Sequence, residues 1–421
     1  MGSRLQSHAK SQMSHGPTPA SPTLRRSLTF WHALLYGLGI TIGAGIYVLI
    51  GPVAKIAGMA APAAFVLAAT AMSLSALSFS ELATRMPVAA GEAAYVAEGF
   101  GSRIAGTLVG LLVIAIAITT SATISLGSAQ YVAVFVSFPG WVIVTFVVLA
   151  MGAIAAWGIV ESVTFAGLMT VIETGGLLLI VALGLYAEPG VVSRLPEALP
   201  DLSQAATWQA IMGAGMLAVF AFIGFEGIVN VAEEIKEPVR NLPRAILATL
   251  AITTFVYVAV VWVALIALGP DTLGRTDAPL AAVFTRLTGW PPTTMAAIAI
   301  VATLNGIIAS IILAARVAYG MARRGDIPAA LARVNPVTRT PLLATTLITM
   351  VVLALALAVP LTGLAEWSSR LTLAMFAAVN IALVAIKRRE TTPPPGVFLA
   401  PMWVPVAGVV ATLLMLAGDL M

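Results

Sequence analysis

Cysteine is absent from the 421 residues, which excludes disulfides, thiolate metal sites and a cysteine nucleophile. Histidine is scarce. His8 and His15 lie in the first polar stretch, His32 stands beside Trp31 at the edge of an apolar run, and none falls in a zinc-protease pattern. An intramembrane enzyme would need a nucleophile–base set or a metal cluster. No glycine-rich loop ending in Lys-Ser or Lys-Thr supports direct drive by ATP, and no pattern calls for a cofactor, a metal or a nucleic acid. Charge is low as well. Asp, Glu, Lys and Arg make up 10% of the chain, against about 25% in ordinary soluble domains.

Apolar length is what the chain has in excess. Hydrophobic residues make up 60%. Runs of about twenty, each able to cross a ~30 Å hydrocarbon layer as a helix, recur from residue 28 to residue 418. The pattern predicts an all-α membrane protein with spans over 28–50, 60–82, 103–133, 140–157, 162–186, 207–235, 242–268, 293–322, 341–360, 367–387 and 398–418. Residues 1–26, rich in Ser and Pro and aperiodic, read as a disordered cytoplasmic tail before one transmembrane domain over 27–421. In this topology Lys55, Arg194, Arg275, Arg286 and Arg370 fall on one side, and the other seventeen of the 22 basic residues on the opposite side. That bias puts the N-terminus in the cytoplasm and the C-terminus outside, with the plasma membrane as the expected location. All the tryptophans except Trp262 sit near span ends, as in an interfacial belt.

The stretch "GLGITIGAGIYVLIG", 37–51, sets glycines where a regular helix is penalised by about 1 kcal/mol for each. The first span carries Gly37, Gly39, Gly43 and Gly45, and the sixth carries Gly213, Gly215, Gly224 and Gly227. These spans open two sets of five, 28–186 and 207–387, and an odd number makes the second set start from the opposite face. Interrupted helices at matched positions of inverted halves point to a solute site at the midplane. A broken helix in lipid exposes amides and carbonyls at several kcal/mol each unless they find partners. A half-helix N-terminus suits a carboxylate, and opposing free carbonyls suit an ammonium. Close packing through small residues is the alternative reading of the same glycines. A channel, the other rival, more often shows a repeated filter or rings of charge.

"GITIGAGIYVLIG" resembles the first-helix signature of the amino acid–polyamine–organocation transporters. "FAFIGFEGIVNVAEEIKEPVRNLPRAI", 220–246, resembles their sixth helix and the loop after it. "SELATRMPVAAGEAAYV", 80–96, and "ARVAYGMARRGDIP", 315–328, with "RTP" at 339–341, resemble two further family segments in the same order. The resemblance implies a LeuT-type 5+5 inverted-repeat bundle with helices 1 and 6 broken, and transport of amino acids or related amines. It implies that Thr41, Gly43, Ala44 and Gly45 receive the substrate carboxylate through the backbone, with Phe220, Ala221 and Ile223 offering carbonyls to the amine. Phe220 would also close over the substrate. A hydroxyl residue is common in the family where Ala44 stands, so side-chain help for the carboxylate is missing here. Relatives often have twelve spans. The eleventh here, outside the repeat, would serve dimer contacts or scaffold packing.

Glu173 sits near the centre of its span, where a charge costs roughly 2.5–3.5 kcal/mol. It is expected to take up and release a proton or to pair with a cation; the alternative is a permanently protonated carboxyl bonded between helices. Several proton-coupled relatives have a lysine at the matching position, so the family's lysine-based coupling does not transfer. Glu226 follows the break in span six, either as a capping or gating residue or as a proton- or substrate-sensing acid. Glu233, Glu234, Lys236, Glu237, Arg240 and Arg244 form either an inner gate of ion pairs or a solvated loop, and Asn305 and Ser310 either line a cavity or bond between helices. The expected function is secondary active, proton-linked transport by alternating access, as symporter or antiporter. A neutral amino acid is the first choice of substrate, and a cationic amino acid or polyamine the alternative.

Overall fold

The computed structural model describes residues 28–87, 91–158, 163–188, 190–201, 203–390 and 392–418. The tail over 1–26 lies outside the described residues. The apolar runs are helical: α1 Phe30–Ile42, α2 Ala44–Ala57, α3 Ala61–Arg85, α4 Gly91–Phe100, α5 Arg103–Val132, α6 Gly140–Trp157, α7 Val163–Ala187 and α8 Ala205–Phe222. A 3-10 segment, Phe225–Glu234, follows α8. Then come α9 Pro238–Leu268, α10 Pro270–Arg275, α11 Pro279–Thr288, α12 Thr293–Arg324, α13 Leu342–Ala358, α14 Leu361–Arg389 and α15 Trp403–Gly418. Among the described residues eight helical stretches can cross a membrane by length and composition; the first, Phe30–Arg85, comprises α1 to α3, and α13 and α15 are shorter apolar helices. Among the described residues the only strand-like pairing is an isolated parallel bridge, Leu28 with Ile235. There Leu28 donates its N–H to the Glu234 carbonyl at 2.9 Å, and Lys236 donates to the Leu28 carbonyl at 2.8 Å. The chain entering α1 is thereby tied to the end of the 3-10 segment.

The helices depart from simple hydropathy in three ways. The first run is two helices meeting at Gly43, and the second half of the sixth is 3-10 rather than α. Three short helices, α4, α10 and α11, occupy stretches that read as connections. The last helix starts at Trp403 rather than near 398. Pro393, Pro394, Pro395 and Pro401 precede it, and a proline removes an N–H and keeps the residue before it extended.

Inside the bundle α5 packs along α12 and α14, α3 along α9, and α2 along α8. The bulkiest side chains fill this interior, with Tyr47, Tyr131, Tyr257, Phe222 and Phe225 fully buried. Phe146, Phe255 and Leu414 face outward, as suits a lipid-facing surface, and seven tryptophans are exposed while Trp262 is buried. One end of the bundle gathers the basic helix ends. There Arg103 of α5 meets Asp326 beyond α12 at 2.8 Å, and Arg389 of α14 donates to the Gly99 carbonyl of α4. At the other end Arg286 reaches Glu188 at 3.4 Å.

Candidate functional site

Two chain interruptions define the centre of the bundle. Between α1 and α2 the backbone turns at Gly43, and no side chain caps α2. The first-turn amides of α2 therefore present the partial positive charge of a helix N-terminus. After α8 the chain is extended at Ile223 and swings through Gly224, whose φ is +130°. A Cβ at Gly224 would be strained there, and it would also lie 2.5 Å from the Ile40 carbonyl oxygen. At Gly45 a Cβ would lie 2.7 Å from the Ala221 Cα. The two interruptions thus touch backbone to backbone, which alanine at either position would prevent.

Tyr257 of α9 joins them. Its hydroxyl is 2.7 Å from the Thr41 carbonyl and 2.9 Å from the Ala221 carbonyl, and its single proton serves one acceptor at a time. The ring is held by Phe65 and Phe222, at centroid distances of 5.9 and 5.3 Å. Sequence reasoning missed this residue. The signal available was a phenol in the apolar run "TTFVYVAVVWV", where the hydroxyl must find a partner inside the protein.

A cavity of about 220 Å³ lies beside the interruptions. Thr41, Gly43, Ala44, Gly45, Phe220 and Ile223 line it, whereas Ala221 is set behind the wall against Gly45. Of the carbonyls expected to face an ammonium, that of Phe220 accepts the Ile223 N–H at 3.2 Å and that of Ala221 accepts from Tyr257. Thr41 turns its hydroxyl to the Gly37 carbonyl at 2.8 Å, so it offers backbone rather than side chain. The far wall comes from α5, with Val113, Ile116 and Ala117, and from α12, with Asn305, Ser310 and Val317. Along both helices these residues run toward the basic end of the bundle. Toward the other end the packing is closed: Tyr131 donates to the Tyr47 carbonyl at 2.7 Å, and Tyr47 donates to the Glu173 carbonyl at 2.6 Å.

Three acids surround this space. Glu173 is fully buried behind the wall, and its Oε1 accepts from the Asn305 amide at 3.1 Å. Asn305 lines the cavity, so it connects Glu173 to the interior. Glu226 lines the cavity directly, and its Oε2 accepts the Gly224 N–H at 2.9 Å, which fits the capping geometry. Glu92, second residue of α4, is the third acid and also lines the cavity. Burial pushes its carboxyl up to about 7. In the sequence Glu92 stands out only as part of the 80–96 motif, because the ten residues of α4 are too short to show as an apolar run. In the expected gate the Glu233 side chain lies outside the described residues, and Glu237 pairs with Arg240 at 3.9 Å on the exposed surface.

The family model described as amino acid permease matches residues 28–418. An uncharacterized transporter of Mycobacterium tuberculosis is 30% identical over 384 residues, covering 90% of this chain and 84% of the relative. The branched-chain amino acid permease of Bacillus subtilis is 27% identical over 91% of this chain and 87% of its own. The vacuolar cationic amino acid transporter 4 of Arabidopsis thaliana is 29% identical over 90% of this chain and 65% of its own. With a match of that extent over a multi-pass bundle of apolar helices, the chain belongs to the amino acid permease family.

Proposed function

We propose that this permease is a secondary active transporter that moves amino acids across the plasma membrane by alternating access, coupled to protons. The observation that carries the reading is the pair of helix interruptions in backbone contact beside one cavity. In this reading the α2 amides around Ala44 and Gly45 receive the carboxylate, and the carbonyls near Phe220 and Ile223 receive the amine. Eleven spans cross the membrane, ten of them as a LeuT-type inverted repeat, with the basic end and the N-terminus in the cytoplasm. The cavity then extends inward and the tyrosine-bonded side faces out, as in an inward-facing state.

Apolar walls at Val113, Ile116, Ala117 and Met375 suit a neutral side chain. A second reading, a cationic amino acid or polyamine, is favoured by Glu92 and Glu226 at the same wall. Counterflow in proteoliposomes with an imposed proton gradient tests the proposal. Leucine is expected to exchange and to accumulate with the gradient; failure of every amino acid and amine to exchange rejects it. Glu173, bonded to Asn305, is assigned proton uptake and release. Glu173→Gln is expected to flatten the pH profile of accumulation, and an unchanged rate and profile removes that role.

A further inference from the structure

Two buried carboxyls face one cavity without a countercharge. Glu92 enters from α4, 5% exposed, and Glu226 from the 3-10 segment after α8, 8% exposed. Among the described residues lining the cavity no side chain is basic; Tyr36 is the only other titratable group. Among the described residues no side chain donates to Glu92, and its own backbone amide is its hydrogen-bond donor. Among the described residues Glu226 accepts only backbone amides, that of Gly224 and its own. Across the cavity the buried Thr120 hydroxyl of α5 has no hydrogen-bond partner among the described residues. Two ionised carboxylates in an apolar enclosure repel each other, and burying even one uncompensated charge is costly. Both carboxyls line the same cavity. An empty cavity therefore favours a pair that holds a proton.

We propose that Glu92 and Glu226 form a subsite for one positive charge, filled by a proton when the transported amino acid is neutral and by the solute's own second ammonium when it is cationic. This deepens the transport reading and rests on it. The α-carboxylate and α-amine are held at the interruptions, and the side chain points along the cavity toward the pair. A neutral side chain leaves the proton in place. The tail of lysine displaces that proton, which leaves through the inward-extending cavity to bulk water, while the ammonium takes its place between the carboxylates. Charge in the cavity stays balanced in both cases. One wall thereby accepts two side-chain classes. Acetylation of the lysine tail removes its charge and returns it to the first class.

The test is calorimetric binding of leucine, lysine and Nε-acetyllysine to the purified full chain, in buffers of differing ionisation enthalpy. Lysine is expected to bind with proton release, so that its apparent enthalpy follows the buffer, while leucine shows no release. Lysine binding tightens from pH 6 to pH 8 relative to leucine. In Glu92→Gln the ratio of lysine to leucine affinity falls at least tenfold, and Glu92→Asp restores most of it. Leucine binding without lysine binding at any pH overturns the subsite and leaves the transport reading standing. So does a ratio that stays constant in Glu92→Gln while both affinities fall. Absence of binding by every amino acid, in protein that unfolds cooperatively, rejects the transport reading as well.

Discussion

Glu81 and Glu92 lie close in sequence, both are buried, and they differ in everything that surrounds the charge. Glu81, on α3, is fully buried and saturated with donors. Its Oε1 receives Arg85 at 2.7 and 2.9 Å and Lys387 at 2.8 Å; its Oε2 receives Lys387 and the Ala400 amide, each at 2.8 Å. Arg85 also pairs with Glu390, and Lys387 donates to the Ala400 carbonyl. Three parts of the chain, α3, the end of α14 and the approach to α15, are fastened at one carboxylate. Glu92 faces a cavity and has no such partners. A carboxylate with two cations bonded to it has finished its interactions and acts as structure. A carboxyl in a cavity without a cation retains an interaction to make, and solute or proton can supply it.

The sharpest way to break this contrast is to remove the fastened charge. Glu81→Ala leaves the nearly buried Lys387 without its counter-ion and Arg85 with Glu390 alone, and losing one partner of a buried pair costs about 3–5 kcal/mol. The expected result is a large drop in the thermal unfolding midpoint of the solubilised protein. Glu92→Gln, which removes an uncompensated charge, is expected to hold or raise the midpoint. Equal losses in the two variants would erase the distinction between them.

Next in size is a contrast within the glycine clusters. Gly224→Ala must hold φ near +130° and fit a Cβ 2.5 Å from the Ile40 oxygen, so strain of about 1–3 kcal/mol and displacement of the interruption are expected. Uptake should fall more than tenfold. Gly213, in the same sequence cluster, would bring its Cβ no closer than 3.8 Å to Ile56, and Gly213→Ala should retain uptake and gain helix stability of up to about 1 kcal/mol. Equal tolerance at both positions would mean that the interruption does not depend on Gly224.

That difference marks how far the sequence could be read. Hydropathy runs locate the long helices because each span must be apolar over its whole length, whatever it packs against. Glycine crowding locates the interruptions, since a backbone that leaves the helix needs residues without a Cβ. It does not tell Gly224 from Gly213, because only the neighbour decides. Glu173 was visible as an acid in an apolar run, but its bond to Asn305 joins α7 to α12 and has no local signature. Tyr257 bridges carbonyls of α1 and α8, a role set by three distant segments. Glu81 has Arg85 four residues on, a local sign of a paired acid that Glu92 lacks; Lys387 and Ala400, which complete its set of partners, are far along the chain.

The smallest expected effect sharpens the contrast through pH. Burial holds the Glu92 carboxyl at about 7 in the folded chain, against an ordinary value of 4.5. Below 4.5 the group is protonated whether the chain is folded or not. Between 4.5 and 7 the folded state binds more protons than the unfolded state, so stability falls as pH rises and levels off above 7. The groups facing Glu92 are Glu226 and Tyr36 across the cavity and Tyr95 on its own helix, and none of them is a cation at these pH values. The unfolding midpoint of the empty protein should therefore decline by a few degrees from pH 5 to pH 7.5. Glu92→Gln should flatten much of that slope, and saturating lysine should oppose the decline in the parent, because the ammonium stabilises the ionised pair. A slope unchanged by Glu92→Gln would place the titrating group elsewhere and leave Glu92 no different in kind from Glu81.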